Sequence, residues 1–126
     1  MAQTPSVVTE TYAPDKLIAG LTQPVTFGRT LISGQNLARG SVVGIITASG
    51  KATLSLSASS DGSEVPYGIL ADDYDASGGD KANCAVYVKG EFNENAITLG
   101  TGHTVASVRE GLRDLGIYLK PSVPNA

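Results

Sequence analysis

Cys84 and His103 are the single cysteine and single histidine of the 126-residue chain, so a thiol–imidazole dyad would have to use both. Their settings point elsewhere. From Ala82 to Lys89 the residues alternate, with Cys84, Val86 and Val88 on one face and Asn83, Ala85, Tyr87 and Lys89 on the other. A free cysteine on the apolar face of a strand reads as a small core residue. His103 follows Thr101-Gly102 and precedes a helical pattern, the place of a loop or near-cap residue. One cysteine and one histidine fall short of the ligands of a structural zinc site. The chain has no Gly-x-Ser-x-Gly elbow to present a serine nucleophile.

Oxygen ligands are more plentiful. Asp72, Asp73, Asp75 and Asp80 bracket Gly78-Gly79. With Asp73 as the first position of an EF-hand-type loop, Asp75, Ser77 and Gly78 fall at the third, fifth and sixth. The twelfth is then Cys84, where a bidentate glutamate is needed, and no helices flank the loop. The cluster reads as solvated turn residues, which favour Asp for its local hydrogen bonds. Two glycine stretches invite a phosphate reading and fail it. Gly50-Lys51 has Ile45 where a P-loop needs glycine and Ala52 where it needs Ser or Thr. Gly100-Thr101-Gly102 lacks the third glycine of a dinucleotide fingerprint. No catalytic residue, metal or cofactor is expected.

Composition agrees. Charged residues are only 17% of the chain, and 15 glycines with many Ser, Thr and Ala fill the deficit. That mixture predicts one mainly β domain with many turns. A net charge of -3 argues against nucleic-acid binding. Between residues 61 and 94 eight acids face two lysines, a local charge of -6. No apolar run approaches the roughly 20 residues of a membrane span, and Met1–Ser6 carries no secretory signal. A soluble protein made in a reducing cytoplasm is expected.

The positioning elements follow from periodicity. Ser41–Thr47 predicts a strand with both faces apolar, and Ala48–Lys51 a turn. Ala52–Ala58 predicts a half-buried strand, Pro66–Ala71 a short strand starting at its proline, and Ala82–Lys89 a strand that Gly90-Glu91-Phe92 continues or bends. Val105, Val108, Leu112 and Leu115 share one face of a helix with Thr104 as N-cap and Gly116 as stop. Gly111 inside it is expected to allow close packing on the sheet. Ile117-Tyr118-Leu119 predicts a last strand, and Pro121 and Pro124 end regular structure.

The first thirty residues differ. Pro5, Pro14 and Pro24 interrupt them, leaving Val7-Val8, Tyr12, Leu17-Ile18, Leu21 and Val25-Thr26-Phe27 as apolar pieces. Val7–Tyr12 has strand propensity but no hairpin partner beside it. Two readings stand: a frayed terminus, or an arm that adds a strand to a partner's sheet. The expected organisation is an extended arm over 1–30, a β-rich core over 31–120 and a tail over 121–126.

Gly40-Ser41-Val42-Val43-Gly44, Asp61-Gly62-Ser63, Pro66–Ala71 with Asp72-Asp73 after it, Val86–Phe92, and the closing helix with Gly116-Ile117-Tyr118-Leu119 come in an order that resembles the lambda-type bacteriophage head decoration (capsid cement) proteins. The resemblance covers roughly residues 31–120. It implies a small β-clip-like or β-tulip-like domain with one C-terminal helix and no enzymatic activity. It implies a homotrimer on the outer surface of the expanded phage head, at local three-fold positions, stabilising the major capsid protein shell against internal DNA pressure. It also implies an N-terminal arm that pairs with capsid-protein strands. Val7, Val8, Thr9, Thr11, Tyr12, Leu17 and Ile18 are the arm positions suited to that pairing. Removing residues 1–20 is then expected to leave a folded core that no longer binds expanded capsids. The alternatives are another virion module, of tail or fibre, and a β-clip enzyme of the dUTP-hydrolase type. Gly68–Tyr74 is loosely similar to the acid-and-tyrosine strand of such enzymes, but Lys120–Ala126 lacks their Gly-rich, Arg-bearing tail.

Overall fold

The structure is a computed structural model, and the residues described are 17–20 and 23–121. Its strands are β1 (Val25–Leu31), β2 (Asn36–Leu37), β3 (Val42–Ile45), β4 (Ala52–Leu54), β5 (Pro66–Leu70), β6 (Tyr74–Asp75), β7 (Lys81–Asn93) and β8 (Ile117–Lys120), with one helix, α1 (Val105–Asp114). The main sheet runs β1-β4-β3-β5-β7-β8, and β1 also pairs with β7. That extra pairing closes β1, β4, β3, β5 and β7 into a small barrel, with β8 appended beyond it. The mainly β, barrel-like architecture fits the expected β-clip type. β2 and β6 form a separate two-stranded sheet.

Apolar side chains divide between two cores. Leu31, Val43, Ala52, Leu70, Cys84 and Val86, from the five barrel strands, meet with Ala76 in the first. Leu17, Val42, Ile69, Phe92, Val108, Leu112, Ile117 and Leu119 form the second, under α1. Side chains alternate along a strand. Val42 and Val43, and again Ile69 and Leu70, therefore serve opposite cores, which explains why β3 and β5 are apolar on both faces. Gly68 lies where β5 crosses β7: a Cβ there would stand 2.6 Å from both the Tyr87 carbonyl oxygen and Val86 Cγ1.

β7 continues through Gly90 rather than ending there, which lets one strand serve three partners. It pairs with β1 over Lys81–Lys89, with β5 at Tyr87 and Val86, and in parallel with β8 over Gly90–Asn93. Its register against β1 shifts twice. Asn83, at one shift, has φ 60, the left-handed conformation that a bulge residue with a short polar side chain tolerates.

The helix begins as expected. Thr104 Oγ1 accepts the Ser107 N–H at 3.1 Å, and Ser107 Oγ accepts the Thr104 N–H at 2.9 Å, a reciprocal capping box. Gly116, at φ 92, stops it and donates its N–H to the Arg113 carbonyl at 3.0 Å.

Three expectations need correction. Regular pairing in β4 ends at Leu54, because Ser55 turns inward and Leu56 is exposed. Leu115 caps the helix and is 49% exposed, so only Val108 and Leu112 carry the buried face. Gly111 does not face the sheet: it is exposed, with no atom within 4 Å of the place its Cβ would take.

Candidate functional site

The residues expected to grip a partner divide at the edge of what is described. Val7, Val8, Thr9, Thr11 and Tyr12 lie outside the described residues. Leu17 and Ile18 lie within them, against the core. Leu17 is 3% exposed, and its carbonyl accepts the Asn93 N–H at 2.7 Å. Ile18 bridges Phe92 antiparallel, and Ala19 donates its N–H to the Glu91 carbonyl at 2.9 Å. The segment thus lies along the C-terminal half of β7, on the edge opposite the one paired with β8. An open groove lined by Glu91, Tyr118, Leu119 and Lys120 adjoins it, and Lys120 Nζ pairs with Glu91 Oε1 at 2.9 Å. The expected boundary at residue 30 falls inside β1, which is part of the sheet.

The same strand carries a feature that sequence reasoning missed. Val25 and Phe27 are exposed to 37% and 56%. β1 pairs with β7 along one edge, while the other meets β4 only at Leu31 opposite Ala52. Arg29 lies over the Tyr67 ring, 4.8 Å from its centroid. Its Nε and Nη2 both donate to the Tyr67 hydroxyl, at 3.3 and 3.2 Å. The run Val25-Thr26-Phe27 after Pro24 was the available signal. Pro24 suits the residue before a strand as well as it suits a linker.

The chemistry-bearing residues are placed apart. Cys84 is buried in the barrel core, its Sγ donating to the Lys81 carbonyl at 3.3 Å. Burial pushes its thiol above the ordinary range, the reverse of what a thiolate nucleophile needs. His103 meets Ser55 instead, Nε2 to Oγ at 3.1 Å. Ser55 is fully buried and already donates its hydroxyl hydrogen to the Ser63 carbonyl at 2.7 Å. A hydroxyl has one hydrogen, so His103 Nε2 must be the donor to Ser55. An imidazole that donates to a serine cannot take that serine's proton. The pair fastens the loop before α1 to the end of β4. Ser63 is held in turn by Asp61, whose Oδ1 accepts the Ser63 N–H at 3.0 Å and also its hydroxyl. Those bonds, the hydroxyl's first, hold the Asp61 carboxyl below its usual range.

The acidic loop is similarly occupied. Asp80 accepts the Ser33 N–H at 2.8 Å and pairs with Lys51 Nζ at 2.6 Å. Asp75 accepts the Ser77 N–H at 2.9 Å, and its hydroxyl as well. Asp73 accepts the Arg39 N–H at 2.7 Å. These carboxylates bind backbone across the turns around β2 and β6. Among the described residues, no three His, Cys, Asp or Glu side chains gather as a metal site would need, and no helix is long and apolar enough to cross a membrane.

The segments that carry the sequence resemblance are elements of the cores: β3, the Asp61–Ser63 turn over Ser55, β5, the second half of β7, and β8. What the arrangement offers is surface: an anchored segment entering along β7, and an open strand edge on β1. Comparison with curated proteins found no match. The family model described as bacteriophage lambda head decoration protein D matches residues 7–118, nearly the whole chain. The chain belongs to that family, and it is a bacteriophage head decoration protein, a structural component of the virion.

Proposed function

We propose that the chain is a trimeric cement protein. It binds the exterior of the expanded phage head at local three-fold positions and holds neighbouring major capsid protein subunits together against internal DNA pressure. The observation that carries this reading is the family match over residues 7–118. Its contact with the shell is the N-terminal arm, which adds a strand to a major capsid protein sheet through Val7, Val8, Thr9, Thr11 and Tyr12. Leu17 and Ile18 hold the base of the arm.

Physical chemistry supports the mechanism. Strand addition satisfies backbone donors and acceptors that an isolated extended segment leaves to water. It relies on main-chain pairing, so it tolerates the small differences between quasi-equivalent positions. Three arms on one trimer bind with avidity, and each contact stays weak alone. A protein that binds the expanded shell and not its precursor stabilises the expanded state by mass action.

Imaging expanded capsids mixed with the purified protein tests the proposal. Density at the local three-fold positions, with arms reaching the shell, is the expected result. Density confined to the tail or to fibres would replace it with the reading of another virion module.

A further inference from the structure

We propose that the open edge of β1, Val25 to Thr30, accepts an extended, carboxylate-bearing segment of the capsid shell. The arm would give a strand, and β1 would receive one. The inference rests on the reading that the protein binds the shell.

Four observations carry it. First, the edge is open. β1 pairs with β7 from Val25 opposite Lys89 through Arg29 opposite Cys84. Among the described residues its second edge is paired only at Leu31 opposite Ala52. Among the described residues nothing else pairs with the outward N–H and C=O groups over 25–30.

Second, the edge is weakly protected, with register shifts against β7 only towards its two ends. Natural sheets block open edges with lysine, proline, short strands or covering loops. Val25–Thr30 contains neither lysine nor proline, and it exposes Val25 and Phe27. An open six-residue edge that exposes a valine and a phenylalanine is an aggregation hazard unless it has an occupant.

Third, the edge asks for negative charge. Val25, Phe27 and Arg29 share one side of β1. The Arg29 guanidinium is half-buried against Tyr67 and takes a neutral hydroxyl as its acceptor. By contrast, Lys51, Arg109 and Lys120 each pair with a carboxylate. Among the described residues no carboxylate pairs with Arg29, and a partly desolvated cation so placed gains most from an incoming carboxylate.

Fourth, among the described residues the other open edges do not fit as occupant. β8 spans four residues and carries Lys120, and β2 and β6 span two each. None of them offers a strand as long as 25–30 with an acid aimed at Arg29. The incoming segment should carry small or β-branched residues facing Val25 and Phe27, and Asp or Glu facing or diagonal to Arg29.

The test uses the full chain on expanded capsids. Phe27 is replaced by a photoreactive phenylalanine analogue, the decorated capsids are irradiated, and the cross-linked peptides are sequenced. The expected product joins position 27 to a shell-protein segment containing Asp or Glu. Cross-links to another copy of this chain, or to its own residues 1–16, would overturn the proposal. Hydrogen exchange on the unmodified protein is the second measurement. Outward amides of residues 25–30 should exchange at least about tenfold more slowly on the capsid than in the free protein. Equal rates in the two states would overturn it even where the arm binds. A chain that failed to bind the shell at all would remove the parent reading as well, so the two failures are distinguishable. Arg29→Gln should weaken capsid binding by about tenfold and Arg29→Lys by less, since only the latter keeps the charge; equal binding by both would count against the carboxylate.

Discussion

Leu17 accepts the Asn93 amide hydrogen at 2.7 Å through its carbonyl oxygen, so the polypeptide is already fixed to β7 before β1 begins. The Leu17 side chain sits in the core beside Phe92 and Leu119. This contact decides where an arm deletion must stop.

A deletion of residues 1–16 should leave thermal stability nearly unchanged and abolish capsid binding. A deletion of residues 1–20 removes a buried leucine and two backbone hydrogen bonds to β7. The leucine alone is worth about 2–5 kcal/mol by analogy with core Leu→Ala changes, and each bond adds about 1 kcal/mol. The longer deletion would therefore confound lost binding with lost stability. Melting curves of the two truncations, beside a capsid sedimentation assay, check this. Equal melting temperatures would show that the Leu17 contact contributes nothing.

Local patterns were legible where local physics sets them. Thr104 and Gly116 bound the helix because capping and the left-handed stop involve only neighbouring residues. The alternation of Cys84 and Val86 placed Cys84 correctly inside the barrel. The β1 edge was not legible, because it depends on a strand more than fifty positions away: Val25 meets Lys89 and Arg29 meets Cys84. Nothing within residues 24–31 says that one edge will be paired and the other left open. Ser55 misled for the opposite reason. The Ser/Leu alternation of residues 52–58 imitates a strand, while the buried hydroxyl answers to Ser63 and His103 from distant loops.

Ser55→Ala should destabilise the protein by about 1–3 kcal/mol, since it leaves the buried Ser63 carbonyl and the His103 N–H without their partner. The cost should appear in denaturant midpoints. His103→Ala should cost less, because the Ser55 hydroxyl keeps its bond to Ser63. A Ser55→Ala cost near zero would show that the network does not hold the loop before α1.

Stability should fall in acid. Asp61, Asp75 and Asp80 are all held below the ordinary carboxylate range, chiefly by the Ser63 hydroxyl, the Ser77 hydroxyl and the Lys51 ammonium respectively. A depressed folded-state value means that the unfolded chain takes up protons first as pH drops. The stabilisation is then complete above about pH 5, begins to decline near the unfolded value of about 3.9, and is gone below the folded values. Urea midpoints between about pH 6 and pH 2.5 should trace that decline. Asp80→Asn should flatten part of it, since the variant has no carboxylate at that position to protonate. An unchanged slope in Asp80→Asn would mean that the Lys51 and Ser33 contacts do not persist in solution.

Gly111→Ala should stabilise the protein. Gly111 lies within α1, is exposed, and has no atom within 4 Å of the position a Cβ would take. Glycine in a helix interior costs about 1 kcal/mol relative to alanine, through the backbone freedom it loses on folding. With no clash to offset the gain, alanine should raise the melting temperature by roughly 3–6 °C for a domain of this size. Gly44→Ala is the contrasting case: its Cβ would lie 2.1 Å from the Ser63 carbonyl oxygen, so the backbone over Ser55 must move and the melting temperature should drop. Paired melting curves should therefore shift in opposite directions. A Gly111→Ala protein less stable than the parent would mean that this face of the helix packs against something, and a copy of the chain or the shell would be the place to look.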